Sequence, residues 1–273
     1  MMRFILAFLV LATPVHACLQ TYRTTLDGKR TVVEGMPGID SIGMIDAVAR
    51  NRRTYWEGER TKHLGAKDFQ SRNDYAVALV HLRETEKAIP ILEALERERP
   101  GLYQTAANLG TAYELAGRDA DALHWIREGI RRNANAHDGT EWLHVAILEA
   151  KLARARDPRW LETHAVLGLD FGPDAVPRMP RQFPNGNDGK PVTPEAMKEA
   201  LYYQLMERRQ FVDPPDPYVA DLFFDWGNIV ALTGALEKAV DLYEESLRFG
   251  VVREPLARMR LAHMKRVIGR ARR

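Results

Sequence analysis

The sequence predicts an all-α solenoid of antiparallel helix pairs, with a small N-terminal β-hairpin and an irregular insertion. Shifted by 34 residues against itself, the chain aligns Ala76 with Gly110, Leu79 with Tyr113, Ala88 with Ala122, Leu92 with Ile126 and Pro100 with Ala134. Repetition at such a period marks a helical solenoid. A small residue and an alanine also recur twelve apart, as Gly110 with Ala122 and Gly227 with Ala239. Such pairs let two helices cross closely. Finally, "LAGRDADAL" puts Gly117 just past one helix and Asp119 at the start of the next, where a stop glycine and an N-terminal acid belong. "LTGALEKAV" repeats this with Thr233 and Gly234, while "LRETEKAI" lacks the glycine and predicts a tighter or less regular turn.

The chain opens with "MMRFILAFLVLATPVHAC": Arg3 is a short positive region, Phe4 to Ala12 an apolar run, and Val15-His16-Ala17 a small-residue cleavage site. Residues 1–17 therefore read as a secretion signal; the run falls short of the roughly 20 residues that span a bilayer. Cys18, the only cysteine, cannot form an internal disulfide. "VHAC" resembles the bacterial lipoprotein signal, with His16 departing from the usual small residue. Two outcomes stay open, a lipid anchor on Cys18 or simple cleavage after Ala17.

Within residues 18–42, Asp27-Gly28 between β-favouring residues signals a hairpin, which must pack on something to persist. Ile45, Val48, Ala49, Arg52, Tyr55 and Trp56 recur at a helical period, placing a capping helix in 43–66. The repeats occupy 67–153. A third unit begins in "HDGTEWLHVAILEAKLARA", but His144 stands where the small residue belongs and Asp157-Pro158 stops the pattern. Residues 154–192 contain six prolines and "PNGNDGKP", and read as an irregular insertion. Thr193 as N-cap and Pro194 as first residue restart a helix, which serves as the displaced second helix of the third unit. "VDPPDP" breaks it, the final repeat follows, and Leu256, Met259, Leu261, Met264 and Ile268 give a terminal cap to the segment 193–273.

Leu109, Gly110, Tyr113, Ala122 and Ile126 resemble the tetratricopeptide repeat family; Tyr75, Ala76, Leu79, Ala88, Leu92 and Pro100 match more weakly, and Trp226, Gly227, Val230, Ala239 and Tyr243 fall in the same register. The resemblance implies an inner face, lined by the first helix of each pair, that binds peptides or folded partners. The corresponding positions are Gln70, Asn73, Val77 and Val80 in the first unit, and Gln104, Ala107, Asn108, Thr111 and Glu114 in the second. The last unit contributes Asp221, Phe224, Asp225 and Asn228. The bases with which some members grip a terminal carboxylate are missing at these places, leaving a mixed polar groove suited to the backbone of an extended segment.

Charge is balanced, 39 Lys and Arg against 37 Asp and Glu, which argues against a nucleic-acid binder. His137, Glu141 and His144 share a helix face at spacings of four and three, and His164 could approach from the insertion. Such a set could ligate zinc, but a polar cluster beneath the insertion, or scattered solvated residues, explains it as simply, with His144 a packed histidine bonded to the inserted loop. "GLDFG" lacks the companion loops of a kinase, and "NGNDGK" lacks the acid spacing of a calcium loop. Residues 253–273 carry eight Lys or Arg against Glu254 alone, either a solvated face or a dock for an acidic partner or anionic lipid.

The expectation is an exported scaffold for protein–protein interaction or assembly in the bacterial envelope, periplasmic or membrane-attached through lipidated Cys18, without catalysis or cofactor. The alternatives are an envelope hydrolase or metal-dependent enzyme sited near the insertion, and a solenoid that binds a small ligand or glycan with help from Trp142 and Trp160.

Overall fold

The computed structural model describes residues 21–33 and 53–273. The expected secretion signal, Cys18 and the first ten residues of the capping segment lie outside the described residues. Strands β1 (Thr21–Thr24) and β2 (Arg30–Val33) pair antiparallel, with Tyr22 opposite Val32 and Thr24 opposite Arg30. The hairpin is pinned to the far end of the chain. Glu237 accepts hydrogen bonds from Thr24 N and Oγ1, both at 2.9 Å, and pairs with Arg30 at 3.2 Å.

The helices are α1 (Arg53–His63), α2 (Phe69–His81), α3 (Thr85–Glu98), α4 (Tyr103–Leu115), α5 (Asp119–Arg132), α6 (Glu141–Arg156), the single turn α7 (Trp160–Thr163), α8 (Pro194–Arg208), α9 (Pro217–Thr233), α10 (Leu236–Phe249) and α11 (Glu254–Ala271). Sequential neighbours pack as a helical solenoid, most extensively within the pairs α4–α5 and α9–α10. Its core forms two clusters, one among α2 to α5 and one among α6 to α11. Helix α6 joins them, with Leu148 in the first and Leu143 and Ile147 in the second.

The small residues stand where helices cross, and their closest neighbour is a large one. A methyl group on Gly110 would lie 2.4 Å from Ile126 Cδ1 and 3.2 Å from Ile126 N, and one on Gly227 would lie 3.0 Å from the Tyr243 ring. Ile126 and Tyr243 stand at the same distance along the chain from their glycines, as Leu92 does from Ala76. Ala88, Ala122 and Ala239 are fully buried.

The turns depart from expectation in two places. Gly117 adopts φ +75° between α4 and α5, and Arg83, without a glycine's freedom, adopts φ +66° between α2 and α3. Their hydrogen bonds match: Glu84 N donates to Leu79 O at 2.8 Å, and Arg118 N to Tyr113 O at 2.8 Å. The first turn is therefore the same turn with a strained residue in it, rather than a tighter one. Gly234 does not repeat the device, because its φ is −146°.

Asp157 is extended, as a residue before proline must be, and α6 ends there. Thr193 Oγ1 accepts from Ala196 N at 3.1 Å and starts α8. Helix α8 packs on α6 and more extensively on α9. In α11 the core-facing residues are Ala257, Arg260, Met264 and Ile268, whereas Met259, expected on that side, is 40% exposed. Among the described residues, no helix is long and apolar enough to cross a membrane.

Candidate functional site

The inward faces of α2, α4 and α6 meet α8 around a cavity of about 180 Å³. Val77 and Val80 come from α2, Asn108, Thr111 and Glu114 from α4, His144 and Lys151 from α6, and Tyr203, Gln204 and Arg208 from α8. A ladder of stacked rings crosses one end: Trp56 lies on His81 with centroids 3.7 Å apart, and His81 on Phe211 at 4.7 Å. This ties the segment after α8 back to the first pair. It turns the predicted groove into a pocket.

Part of the lining is apolar, built from Val77, Val80, Leu115 and Phe211, and part of it is charged. Glu114, buried at its centre, receives Arg208 Nη1 at 2.8 Å, Lys151 Nζ at 2.8 Å and His144 Nε2 at 2.6 Å. Burial by itself would raise its pKa, but Arg208, His144 and Lys151 outweigh that and hold it well below the usual carboxylate range. Glu141 is likewise buried, yet its bonds to His137 and His144 bring its pKa to about 2. Burial works against a charge on His144, and Glu114 and Glu141 reverse the balance and raise its pKa. The bond to Glu141 raises that of His137. Desolvation, with Glu207 and Asp138 nearby, pushes Tyr203 up to about 12, so its hydroxyl stays protonated and can donate.

The structure brings together three of the four candidate ligands. His137 Nδ1 meets Glu141 Oε1, and His144 Nδ1 lies 3.3 Å from Glu141 Oε2. His137 is not on the helix, as its spacing implied; it sits in the 3₁₀ turn Ala136–Gly139 with φ +52°. His164 takes no part, because it stacks on Trp160 at 4.7 Å and bonds the Trp160 carbonyl. His144 is bonded to Glu114 of the preceding pair, not to the inserted loop. The loop instead grips the start of α6, where Asn187 Oδ1 accepts from Trp142 N and Asn187 Nδ2 donates to Ala134 O, both at 2.8 Å. Among the described residues, no group of three or more His, Cys, Asp or Glu is arranged to hold a metal ion.

Of the expected groove residues, Val77, Val80, Ala107, Asn108, Thr111 and Glu114 line the pocket. Asn73 supports it by accepting from Asn108 Nδ2 at 3.0 Å, while Gln70 and Gln104 are exposed outside it. Asp225 and Asn228 are not groove residues, since both are wholly buried. The insertion residues Leu169 and Phe171 are buried over α9, and Arg260 reaches across from α11. Arg260 donates to Asn228 Oδ1 at 2.7 Å and to the carbonyls of Phe171, Gly172 and Asp174. Asp221 pairs with Arg253 and accepts from Val166 N at 2.8 Å. Burial, and then Asp221, raise the pKa of Asp225 well above the usual carboxylate range.

Sequence reasoning missed Lys151, Tyr203, Gln204, Arg208 and Phe211 as pocket residues. Periodicity could not find the last four, because they follow an insertion that breaks the register. A second, wider cleft of about 570 Å³ lies beside the insertion, lined by Trp142, Tyr202, Tyr203, Asn135, Asp138 and Asn187 among others. No protein-family model matches the chain, and no curated protein matches it either.

Proposed function

We propose that the protein is an exported scaffold of the tetratricopeptide type, acting in the bacterial envelope by holding a segment of a partner protein on its inner face. One observation supports this above the others. Inward-facing side chains from three successive first helices converge on one pocket, with an apolar wall beside a charged one. Such a pocket suits one side chain of an extended segment, with Asn108, Thr111 and Tyr203 beside it to exchange hydrogen bonds with a backbone. The charged wall is tied together by the ion pairs on Glu114 and serves as a rigid frame. The repeat register, Ala76, Gly110 and Gly227 with their crossing partners, favours the family, and the apolar run before Cys18 favours export, with Cys18 a lipid anchor or a cleavage-site residue.

Site-directed photo-crosslinking in cells tests the reading. A crosslinking amino acid at Thr111 should give a discrete protein adduct that is absent when it stands at Arg127, an exposed position on α5. Equal adducts from both positions would overturn it. A second reading, a glycan-binding solenoid, draws on the cleft lined by Trp142, Tyr202 and Tyr203. Retention on immobilised glycans, together with no adduct from Thr111, would move the function there.

A further inference from the structure

We infer that the solvent face of α11 is a docking surface for an anionic membrane, contacting the phosphates of its lipid headgroups. The surface is separate from the pocket and does not depend on the reading given to it.

Residues 255–273 contain seven Lys or Arg and no Asp or Glu, although the whole chain is nearly balanced at 39 against 37. Arg260 is buried, and the other six cations, Arg258, Lys265, Arg266, Arg270, Arg272 and Arg273, are exposed. At 100° per residue, Arg258, Ala262, Lys265, Arg266, Gly269 and Arg270 share one side of the helix. Three of the cations have acidic partners: Arg258 with Glu254 at 2.7 Å, Lys265 with Glu244 at 2.6 Å and Arg272 with Glu237 at 3.5 Å. Among the described residues, the guanidinium groups of Arg266, Arg270 and Arg273 have none. Residues 255–273 contribute no acid of their own to this face, and three of its six exposed cations have no acidic partner from the described neighbouring segments.

The shape of the face selects the partner. Ala262 and Gly269 keep the stripe low between the cations, and a methyl on Gly269 would meet nothing within 4 Å. From Arg258 to Arg270 the row is about 18 Å long, and it holds no Phe, Tyr or Trp on which a nucleic-acid base could stack. Exposed Met259 adds an apolar contact at the same level. Such a row suits mobile phosphates spread over a plane.

Vesicle co-sedimentation of the full chain carrying Cys18→Ala tests this without an acyl chain. At low salt the protein should sediment with phosphatidylcholine vesicles containing about a third phosphatidylglycerol and stay in solution with phosphatidylcholine alone. Reversing two unpaired cations, Arg266→Glu with Arg270→Glu, should weaken that binding by about tenfold or more at an unchanged melting temperature. Equal sedimentation with both vesicle types would overturn the inference, as would a double variant that binds normally. Retention by duplex DNA without vesicle binding would overturn it too.

Discussion

Asn108 and Asp225 occupy the same place in their helix pairs, two residues before Gly110 and Gly227, and Thr111 and Asn228 both follow directly after. In the second pair these positions face the pocket and are half-buried. In the last pair they are wholly buried, beneath the insertion and Arg260. The buried acids of the two pairs differ as well. Glu114 is ionised because three cations converge on it, whereas Asp225 has a raised pKa because burial and Asp221 oppose its charge and Arg253 approaches no closer than 3.6 Å. Repeat register therefore sets the direction of a side chain, and what lies over it sets its chemistry.

The comparison breaks most directly at Arg260. Arg260→Ala removes four hydrogen-bond links, leaving Asn228 Oδ1 and the carbonyls of Phe171, Gly172 and Asp174 without this donor, so it should cost about 3–5 kcal/mol. Denaturant unfolding measures this, and limited proteolysis should show new cleavage between 165 and 180. An unchanged midpoint would mean that the insertion is held by its apolar contacts alone.

The two acids should also separate in a pH titration of stability. Glu114 and Glu141 are lowered from an ordinary value of 4.5, so their contribution is present above that value and is lost as pH falls, for Glu141 through about 2. His137 and His144 are raised from 6.5, so theirs is full below that value and is lost as pH rises through the higher folded one. Asp225 is raised from 3.8, and its contribution too fades as pH rises. Stability should peak near pH 4.5, below which the two glutamates lose their contribution and above which that of Asp225 fades, with Glu141 supplying roughly 3 kcal/mol of the fall on the acid side. Glu141→Gln should flatten that acid limb and Asp225→Asn should leave it in place; the reverse result would exchange the roles of the two regions.

The crossings offer the smallest test. Gly110→Ala should cost about 1–3 kcal/mol because its methyl meets both the side chain and the backbone of Ile126. Gly227→Ala should cost less, since its methyl touches only the Tyr243 ring at 3.0 Å. Melting temperatures compare the two directly. Equal losses would show that the two pairs cross alike.

Much of the scaffold was legible in the residues themselves. Thr193 and Pro194 announced α8, Asp157-Pro158 announced the end of α6, and Gly110 with Ala122 announced a close crossing, because each depends on local backbone chemistry or on a fixed helical period. The turn between α2 and α3 was not legible as a left-handed one, because such a turn shows in a sequence only when glycine makes it cheap, and here Arg83 occupies it. The pocket was half legible. Val77, Asn108 and Thr111 followed from register, whereas Asp225 and Asn228 were assigned to the groove by the same rule and lie elsewhere. Lys151 reaches Glu114 from the first helix of the third unit, and Arg208 reaches it from a helix beyond the insertion, which no repeat spacing relates to it.

Local pattern, then, decided the elements of this protein: which stretches are helical, where they stop, and which small residues let them cross. Contacts between distant segments decided the rest. Tyr203, Arg208 and Phe211 close the groove only because α8 returns across an insertion, and Glu114 ionises while Asp225 resists only because of what packs above each. Helical periods and turn preferences act over a few residues and can be read along the chain. Burial and the convergence of charges are properties of three-dimensional neighbours, which the chain order does not encode.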